Sequence, residues 1–291
     1  MGGAQPRRVG DLIRSTTVLA AERGISQKRL VALVANVVLA QMLPAAAVKG
    51  GTGLKLRFGE RLTRETPDVD AAYRGDLDAF RDELADRLGV GWHGFTGEVT
   101  MGEPRAPESV PVAYVMQPFR VQLKFAHKTF KAIDLEIGYD ELEATTNEPP
   151  EMVMSSEVLE IFDALGLPEP AAVRVQPLPH QIAQKIHACT APRSQRAHDL
   201  IDLQLIVPAT DPRLVATVTE RLFAFRQEHD WPPLLSPGAR WDSLYEEASE
   251  GLDVLASVSE AVVWLNDYIA ELELATGETK RAGPSEKTQP A

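Results

Sequence analysis

Residues 48–58, VKGGTGLKLRF, and residues 64–70, RETPDVD, carry the strongest fold signal in the chain. The short apolar run at residues 45–49 ends in two glycines, as a buried strand entering a tight turn does. Residues 52–58 are predicted to form a short helix, and residues 69–72 a second strand. This order of strand, glycine pair, helix and strand is typical of a turn whose backbone N–H groups approach a phosphate chain closely.

Carboxylates accompany this predicted turn. Asp68 and Asp70 are two positions apart on the predicted second strand, so both side chains project from one face. Two hard oxygen ligands are what Mg²⁺ requires beside a triphosphate, although the spacing is not that of a P-loop. A third carboxylate is expected on the predicted strand 130–137, where Asp134 and Glu136 share a face. Glu136 is preferred because it lies nearer the end of the strand, and Asp134 remains the alternative.

A second group of polar residues lies further along the chain. Lys185 adjoins the apolar stripe of a predicted helix, and a partly buried lysine needs an anionic partner. That partner is either a triphosphate or the carboxylates of Asp199 and Asp202, which are one turn apart on the next predicted helix. His180 and His187 fall on the opposite face from the stripe and are expected to be exposed to solvent.

Composition excludes several classes of protein. With 291 residues, 44% hydrophobic and 25% charged, the chain is typical of a globular protein rather than a disordered or disulfide-stapled one. The net charge of -12 opposes a protein that coats nucleic acid through a basic surface. However, residues 112–131 and residues 174–198 contain basic side chains and no acidic ones, so a local basic path remains available.

The sequence gives no sign of export or of membrane insertion. The one cysteine, Cys189, cannot form an intramolecular disulfide, which fits a reducing compartment. The longest apolar run, residues 30–48, is interrupted by polar residues and proline, so it predicts a buried helix rather than a membrane span. We therefore expect a cytoplasmic protein with no membrane partner.

The chain changes character near residue 150. Residues 1–150 are predicted to form an α/β unit with N-terminal helices, and residues 151–276 a helical lobe. Residues 277–291 lack large apolar side chains and are predicted to be disordered. The remaining predicted strands are 110–115 and 120–125, and the predicted helices are 77–88, 157–165, 179–190, 196–207, 212–229 and 241–274.

Five motifs occur in a recognisable order. They are KGGTGL at 49–54, R-x-T-x-D-V-D at 64–70, LEI at 135–137, A-x-K-x-H-A at 183–188 and R-x-x-D-L-x-D-L at 196–203. Together they resemble the AbiEii/AbiGii toxin family, the nucleotidyltransferase-like toxins of toxin–antitoxin and abortive-infection systems, which include the MenT toxins. The resemblance implies an α+β fold, with a polymerase-β-like nucleotidyltransferase core containing a mixed sheet, and a helical C-terminal lobe.

The resemblance also implies a function. The chain would use Mg²⁺ and a nucleoside triphosphate (NTP) to add nucleotides to the 3′ acceptor end of tRNA, would block translation, and would be opposed by a cognate antitoxin. Asp68 and Asp70 would hold the metal, with Glu136 or Asp134 completing the set. Asp199 would orient Lys185 or activate the acceptor. The residues implied in nucleotide binding are Gly50, Gly51, Thr52, Arg57, Arg64 and Lys185.

Two departures from the wider superfamily concern the connection before Asp68. Sixteen residues, 52–67, separate Gly51 from Asp68, which is a long connection. Pro67 removes a backbone donor that an edge strand could lose but a central strand could not. Two other functions remain open: transfer of a nucleotide to a protein or small molecule, and a non-catalytic module that binds a nucleotide or an antitoxin.

Overall fold

The computed structural model of the protein describes residues 5–104, 115–144 and 151–281. Its backbone contacts divide the chain into two units, Met1–Pro177 and Leu178–Ala291. The first unit contains a mixed sheet, and the second is built from helices. This is the α+β fold predicted above, with a mixed-sheet core and a helical C-terminal lobe.

Within the described residues, the sheet of the first unit has seven strands in the order β3-β4-β5-β2-β1-β7-β6. Strand β2 lies in its interior, antiparallel to β1 and parallel to β5, and β1 is parallel to β7. The other neighbouring pairs are antiparallel. The strands are β1 Ala47–Lys49, β2 Val69–Tyr73, β3 Phe95–Met101, β4 Gln117–Phe125, β5 Lys128–Tyr139, β6 Glu151–Val153 and β7 Val173–Val175.

Helices surround the sheet and make up the second unit. Those of the first unit are α1 Val9–Arg23, α2 Gln27–Met42, α3 Gly50–Phe58, α4 Leu77–Val90 and α5 Ser156–Ala164. Those of the second unit are α6 Leu178–Thr190, α7 Ala197–Ile206, α8 Pro212–Arg226, α9 Trp241–Ser249 and α10 Val258–Arg281. Short 3-10 segments occupy Glu141–Glu143 and Val207–Ala209.

Helix α2 is the buried helix predicted from the apolar run. Ser26 caps its N-terminus by accepting a hydrogen bond from the backbone N–H of Arg29 at 3.1 Å. The helix ends at Met42, before Leu43 and Pro44, and its residues from Leu30 onward are buried almost without interruption. It therefore packs as part of the core of the first unit and fixes the strands that carry the predicted site.

Some predictions for the second half of the chain were wrong. The division near residue 150 differs from the observed one, because β6 and β7 pair within the sheet of the first unit. The single helix predicted over 241–274 is two helices, α9 and α10, with Gly251 at φ 74° between them. Helix α10 continues to Arg281, so residues 277–281 are helical rather than disordered. Residues 282–291 and most of the predicted strand 110–115 lie outside the described residues.

Pro67 does not disturb the central strand. Strand β2 begins at Val69, and its first residue paired with β1 is Asp70. Pro67 lies before both, so its missing N–H removes no hydrogen bond from the sheet.

Candidate active site

One row of charged residues crosses three adjacent strands of the first unit. Lys49 on β1 lies opposite Asp70 on β2, and Asp70 lies beside Glu136 on β5. Residues in register on neighbouring strands project from the same face of a sheet. The Lys49 ammonium reaches toward β5. Its Nζ lies 3.0 Å from the point that a Cβ atom of Gly138 would occupy. The register therefore joins a cation and two carboxylates on one surface.

Lys49 was not among the predicted site residues. Its position directly before the glycine pair was visible in the sequence, but its alignment with Asp70 and Glu136 depends on strand register. Strand register is set by pairing between distant segments, which the periodicity of one segment does not report.

The glycine pair begins helix α3 immediately beside this row. Gly50 has φ 62°, and a Cβ atom there would overlap the Asp70 carboxylate. A Cβ atom on Gly51 would overlap the side chain of Thr66. The N-cap residue of this helix is Lys49, whose side chain makes no capping hydrogen bond. The first-turn N–H groups of a helix have no intrahelical acceptor, so this end of α3 is suited to bind phosphate.

Thr52 is buried and has a different contact from the one expected. Its hydroxyl donates to the backbone carbonyl of Asp68 at 2.6 Å and accepts from Asn36 Nδ2 at 3.1 Å. The side chain of Thr52 therefore supports the backbone of Asp68. The predicted triphosphate contact of Thr52 is assigned to its backbone N–H and stays a prediction.

The candidate metal ligands differ in their surroundings. Asp68 directly precedes β2 and is half-buried, and Glu136 is exposed. In the part of the chain that the structure describes, neither forms an ion pair, whereas Asp134 is paired with Arg120 of β4. The structure therefore favours Glu136 over Asp134 as the available carboxylate of β5.

The structure does not assemble a complete cluster of protein metal ligands. Across residues 5–104, 115–144 and 151–281, no group of three or more His, Cys, Asp or Glu side chains is placed to hold a metal ion. Mg²⁺ commonly takes only one or two carboxylates from the protein and completes its shell with substrate phosphates and water. Asp70, whose carboxylate lies beside Gly50 at the start of α3, and Asp68, two positions earlier, would supply that smaller donor set, so the residues present fit the ion.

The two predicted phosphate-binding arginines are both in contact with the protein. Arg57 makes a two-pronged ion pair with Glu151 of β6, including an Nη2–Oε2 distance of 2.8 Å. The hydrogen bond from Arg57 lowers the pKa of Glu151. Arg57 thus joins α3 to β6 in this structure, and its contact with phosphate stays a prediction. Arg64 is half-buried, and its Nη1 donates to the carbonyl of Glu65 at 3.3 Å.

A buried ion cluster anchors the long connection between α3 and β2. Lys55 donates to Glu60 Oε1 at 2.8 Å and to Thr63 Oγ1 at 3.3 Å, and only 2% of its surface is exposed. Arg29 of α2 pairs with Glu60 as well and donates to its carbonyl at 2.6 Å. Burial lowers the pKa of Lys55 to about 8, although Glu60 opposes the shift. The unusual length of this connection is therefore compatible with a fixed path.

We expect Glu60→Leu to lower the free energy of unfolding by about 3 kcal/mol, because it leaves Lys55 buried without its carboxylate. Urea denaturation of the full chain measures the change. Glu65→Leu is the matched control, since Glu65 pairs with Lys28 at the surface and its loss should have an effect below about 1 kcal/mol. Equal effects of the two substitutions would contradict this interpretation of the cluster.

In the second unit, Lys185 is held by both of its candidate carboxylate partners. Its Nζ lies 2.7 Å from Asp199 Oδ1 and 2.6 Å from Asp202 Oδ2, and all three side chains are buried. Arg196 adds a 2.7 Å contact to Asp199. Burial alone would raise the pKa of Asp199, but the charges of Lys185, Arg196 and His198 outweigh it and lower that pKa well below its ordinary value. The structure thus shows the salt bridge that the sequence left open, and the functional role of Asp199 stays a prediction.

His180 and His187 are buried, so the expectation of solvent exposure was wrong. The His187 ring packs against Phe223 and His229, with ring centroids 4.8 Å and 4.4 Å away. Burial, followed by the charge of Arg226, lowers the pKa of His187 to about 3, so the ring is neutral at physiological pH. This histidine belongs to the core of the helical unit.

The mixed sheet thus places the Asp70 carboxylate beside a glycine-initiated helix whose end is suited to bind phosphate. A solved structure with a similar fold is MenT4, a nucleotidyltransferase toxin from Mycobacterium tuberculosis H37Rv, at 16% identity, a TM-score of 0.58 and coverage of 89% of each chain. JHP933 from Helicobacter pylori matches less well, at 15% identity, a TM-score of 0.45 and coverage of 86% of this chain and 93% of its own.

The family assignment comes from the sequence profile. The profile of the AbiEii nucleotidyl transferase toxins of type IV toxin–antitoxin systems matches residues 31–262. The chain belongs to this AbiEii nucleotidyl transferase toxin family, which confirms the resemblance predicted from its motifs. No curated protein sequence gave a match. Among the described residues, no helix combines the length and apolar character needed to cross a bilayer.

Proposed function

We propose that this toxin uses Mg²⁺ to transfer nucleotides from an NTP to the 3′ acceptor end of tRNA, and that it thereby blocks translation. Its partners would be an NTP, the acceptor stem of tRNA and a cognate antitoxin. The observation that carries the proposal is the row of Lys49, Asp70 and Glu136, in register beside the glycine-initiated end of α3. Family membership supports the same chemistry. A cytoplasmic location stays a prediction.

The first unit supplies the nucleotide site in this proposal. The N–H groups at Gly50, Gly51 and Thr52 bind phosphate oxygens of the triphosphate at the positive end of α3. Asp68 and Asp70 would hold Mg²⁺. When bound, the metal supplies activation of the attacking hydroxyl and stabilisation of the departing pyrophosphate.

The reaction that follows is a displacement at the α-phosphorus. The 3′ oxygen of the acceptor forms a bond to that phosphorus, the bond to pyrophosphate breaks, and the hydroxyl proton leaves. The Lys49 ammonium, on the same face as Asp70, offsets negative charge that builds up on the phosphates. The role that the family resemblance implies for Lys185, neutralising triphosphate charge, stays a prediction; within the second unit its ammonium contacts Asp199 and Asp202.

One observation favours a different acceptor. Of the basic residues in the predicted path at 112–131, Arg120 is paired with Asp134, and Lys124 with Glu98. These pairs reduce the positive charge available to an RNA backbone, and the whole chain is acidic. Transfer to a protein or a small molecule is therefore the second candidate function.

Label transfer tests these two functions against each other. The purified chain is incubated with Mg²⁺, each α-labelled NTP in turn, and either total tRNA or a tRNA-free protein fraction. We expect label on tRNA, lost on chelation of the metal, with RNA binding that weakens steeply between 50 and 200 mM salt, a range in which about 10³-fold losses are typical of multiple phosphate contacts. Label on protein alone would support the second function. An absence of label from both acceptors would contradict transfer to tRNA and transfer to protein.

A further inference from the structure

Helix α2 contains one polar residue where only apolar residues are otherwise buried. Asn36 is 1% exposed, and within α2, all of which the structure describes, it is the only buried polar side chain. Burying a side-chain amide is unfavourable by about 1–3 kcal/mol unless hydrogen bonds compensate for the lost water. The contacts of this amide therefore indicate what it does.

The amide nitrogen of Asn36 is directed at the residue that precedes the central strand. Nδ2 donates to the carbonyl of Asp68 at 3.0 Å and to Thr52 Oγ1 at 3.1 Å, with a longer contact of 3.4 Å to the carbonyl of Thr66. Thr52 Oγ1 donates to the same Asp68 carbonyl at 2.6 Å. Two buried side chains, from α2 and α3, therefore hold one backbone carbonyl, and that carbonyl belongs to Asp68.

The amide oxygen of Asn36 differs from the amide nitrogen in its contacts. Asn36 Oδ1 is buried, and within the described residues it has no hydrogen-bond partner. An unsatisfied buried acceptor destabilises a fold, so an apolar residue of similar size would serve packing better. An apolar residue could not donate hydrogen bonds to the Asp68 carbonyl and to Thr52 Oγ1, which itself donates to that carbonyl.

We infer that Asn36 is a positioning residue for the metal-binding carboxylate of Asp68, acting together with Thr52. This inference rests on the proposed function, because it takes Asp68 as a metal ligand. Side chains that orient metal ligands typically contribute 10–100-fold to metal affinity or activity. Fixing the carbonyl of Asp68 restricts the backbone that carries its carboxylate.

The test measures Mn²⁺ binding by electron paramagnetic resonance in the presence of an α,β-methylene NTP analogue, which cannot undergo transfer. We expect Asn36→Leu and Thr52→Val each to weaken Mn²⁺ binding by about tenfold or more. The double variant should be less impaired than the product of the two single effects, because both residues act on one carbonyl. In the transfer assay, kcat should fall and the Mg²⁺ concentration for half-maximal rate should rise.

Asn266→Leu is the matched control. Asn266 lies in the second unit, accepts from the N–H of Leu235 at 2.8 Å and donates to its carbonyl at 3.2 Å, so its replacement also removes an amide that holds a loop. It should leave Mn²⁺ binding unchanged. Asn36→Leu should melt within a few degrees of the unmodified chain; if it fails to fold, Thr52→Val alone carries the test.

The outcomes separate this inference from the proposed function. Unchanged Mn²⁺ affinity in the folded variants would overturn the role of Asn36 and leave the proposed function standing. In a second outcome, the unmodified chain binds Mn²⁺ and the analogue but transfers no nucleotide, and the variants lose this binding. That result would overturn the proposed function and support the positioning role. An unmodified chain that binds no Mn²⁺ with the analogue would overturn both.

Discussion

Asp68→Asn should lower the rate of nucleotidyl transfer by at least about a thousandfold while leaving the fold intact. The substitution keeps the size of the side chain and removes the charge that would hold Mg²⁺, whose stabilisation of the transition state is worth several kcal/mol. About 4 kcal/mol corresponds to a factor of about one thousand in rate. The fold should survive because Asp68 is half-buried and, in the described part of the chain, forms no ion pair.

Single-turnover transfer of an α-labelled nucleotide measures this effect, with circular dichroism and thermal melting as checks on folding. Asp82→Asn is the control, since Asp82 is an exposed aspartate of α4 paired with Arg81. It should leave the rate unchanged. In the same assay, Glu136→Gln should impair transfer more than Asp134→Asn, which identifies the carboxylate of β5 that contributes. A folded Asp68→Asn variant with a near-normal rate would remove Asp68 from the proposed site.

Lys185→Met should both destabilise the helical unit and abolish transfer. It leaves the carboxylates of Asp199 and Asp202 buried, with side-chain exposures of 0% and 1%, and without their shared cation. Breaking a buried ion pair on one side typically lowers the free energy of unfolding by about 3–5 kcal/mol. Urea denaturation measures the loss of stability, and label transfer measures the loss of activity.

A triple variant separates the structural role of Lys185 from its proposed catalytic one. Lys185→Met combined with Asp199→Leu and Asp202→Leu replaces the ion cluster by apolar side chains, which often restores stability. We expect stability to return and activity to remain absent. Recovery of transfer in this variant would show that the cluster serves only the fold.

The pH dependence of stability follows from the lowered pKa of Asp199. The pKa of Asp199 is lower in the folded than in the unfolded chain. The ionised carboxylate therefore adds to the free energy of unfolding at a pH above 3.8, the ordinary aspartate pKa, and this addition is lost as the pH falls below that value.

Local patterns were sufficient to predict the elements that position the site. The apolar run predicted α2, and alternation predicted β5. The strand at 69–72 corresponds to β2, and the helix predicted over 52–58 corresponds to α3, which begins two residues earlier at Gly50. The three-residue strands β6 and β7 were missed because a segment that short shows no clear periodicity. Their place in the sheet also depends on pairing between segments distant in sequence.

The side-chain contacts of the site were harder to predict. The arginine at position 57 is suited to bind phosphate, but Glu151, 94 positions away, binds it in the folded chain. Thr52 has the residue type expected of a phosphate-binding turn, but its hydroxyl is directed into the protein by Asn36 and the carbonyl of Asp68. Such contacts are made between segments that only the fold brings together, so residue type and spacing do not determine them.

The most direct test of the central claim compares intact tRNA with tRNA whose 3′ terminal ribose has been oxidised by periodate. Each is incubated with the purified chain, Mg²⁺ and the NTP that gives label transfer, and the RNA is then weighed by mass spectrometry. We predict that intact tRNA gains the mass of one or more nucleotides at its 3′ end, that oxidised tRNA gains none, and that Asp68→Asn adds none to either. Equal gains on intact and oxidised tRNA, or no gain on either, would contradict transfer to the 3′ end.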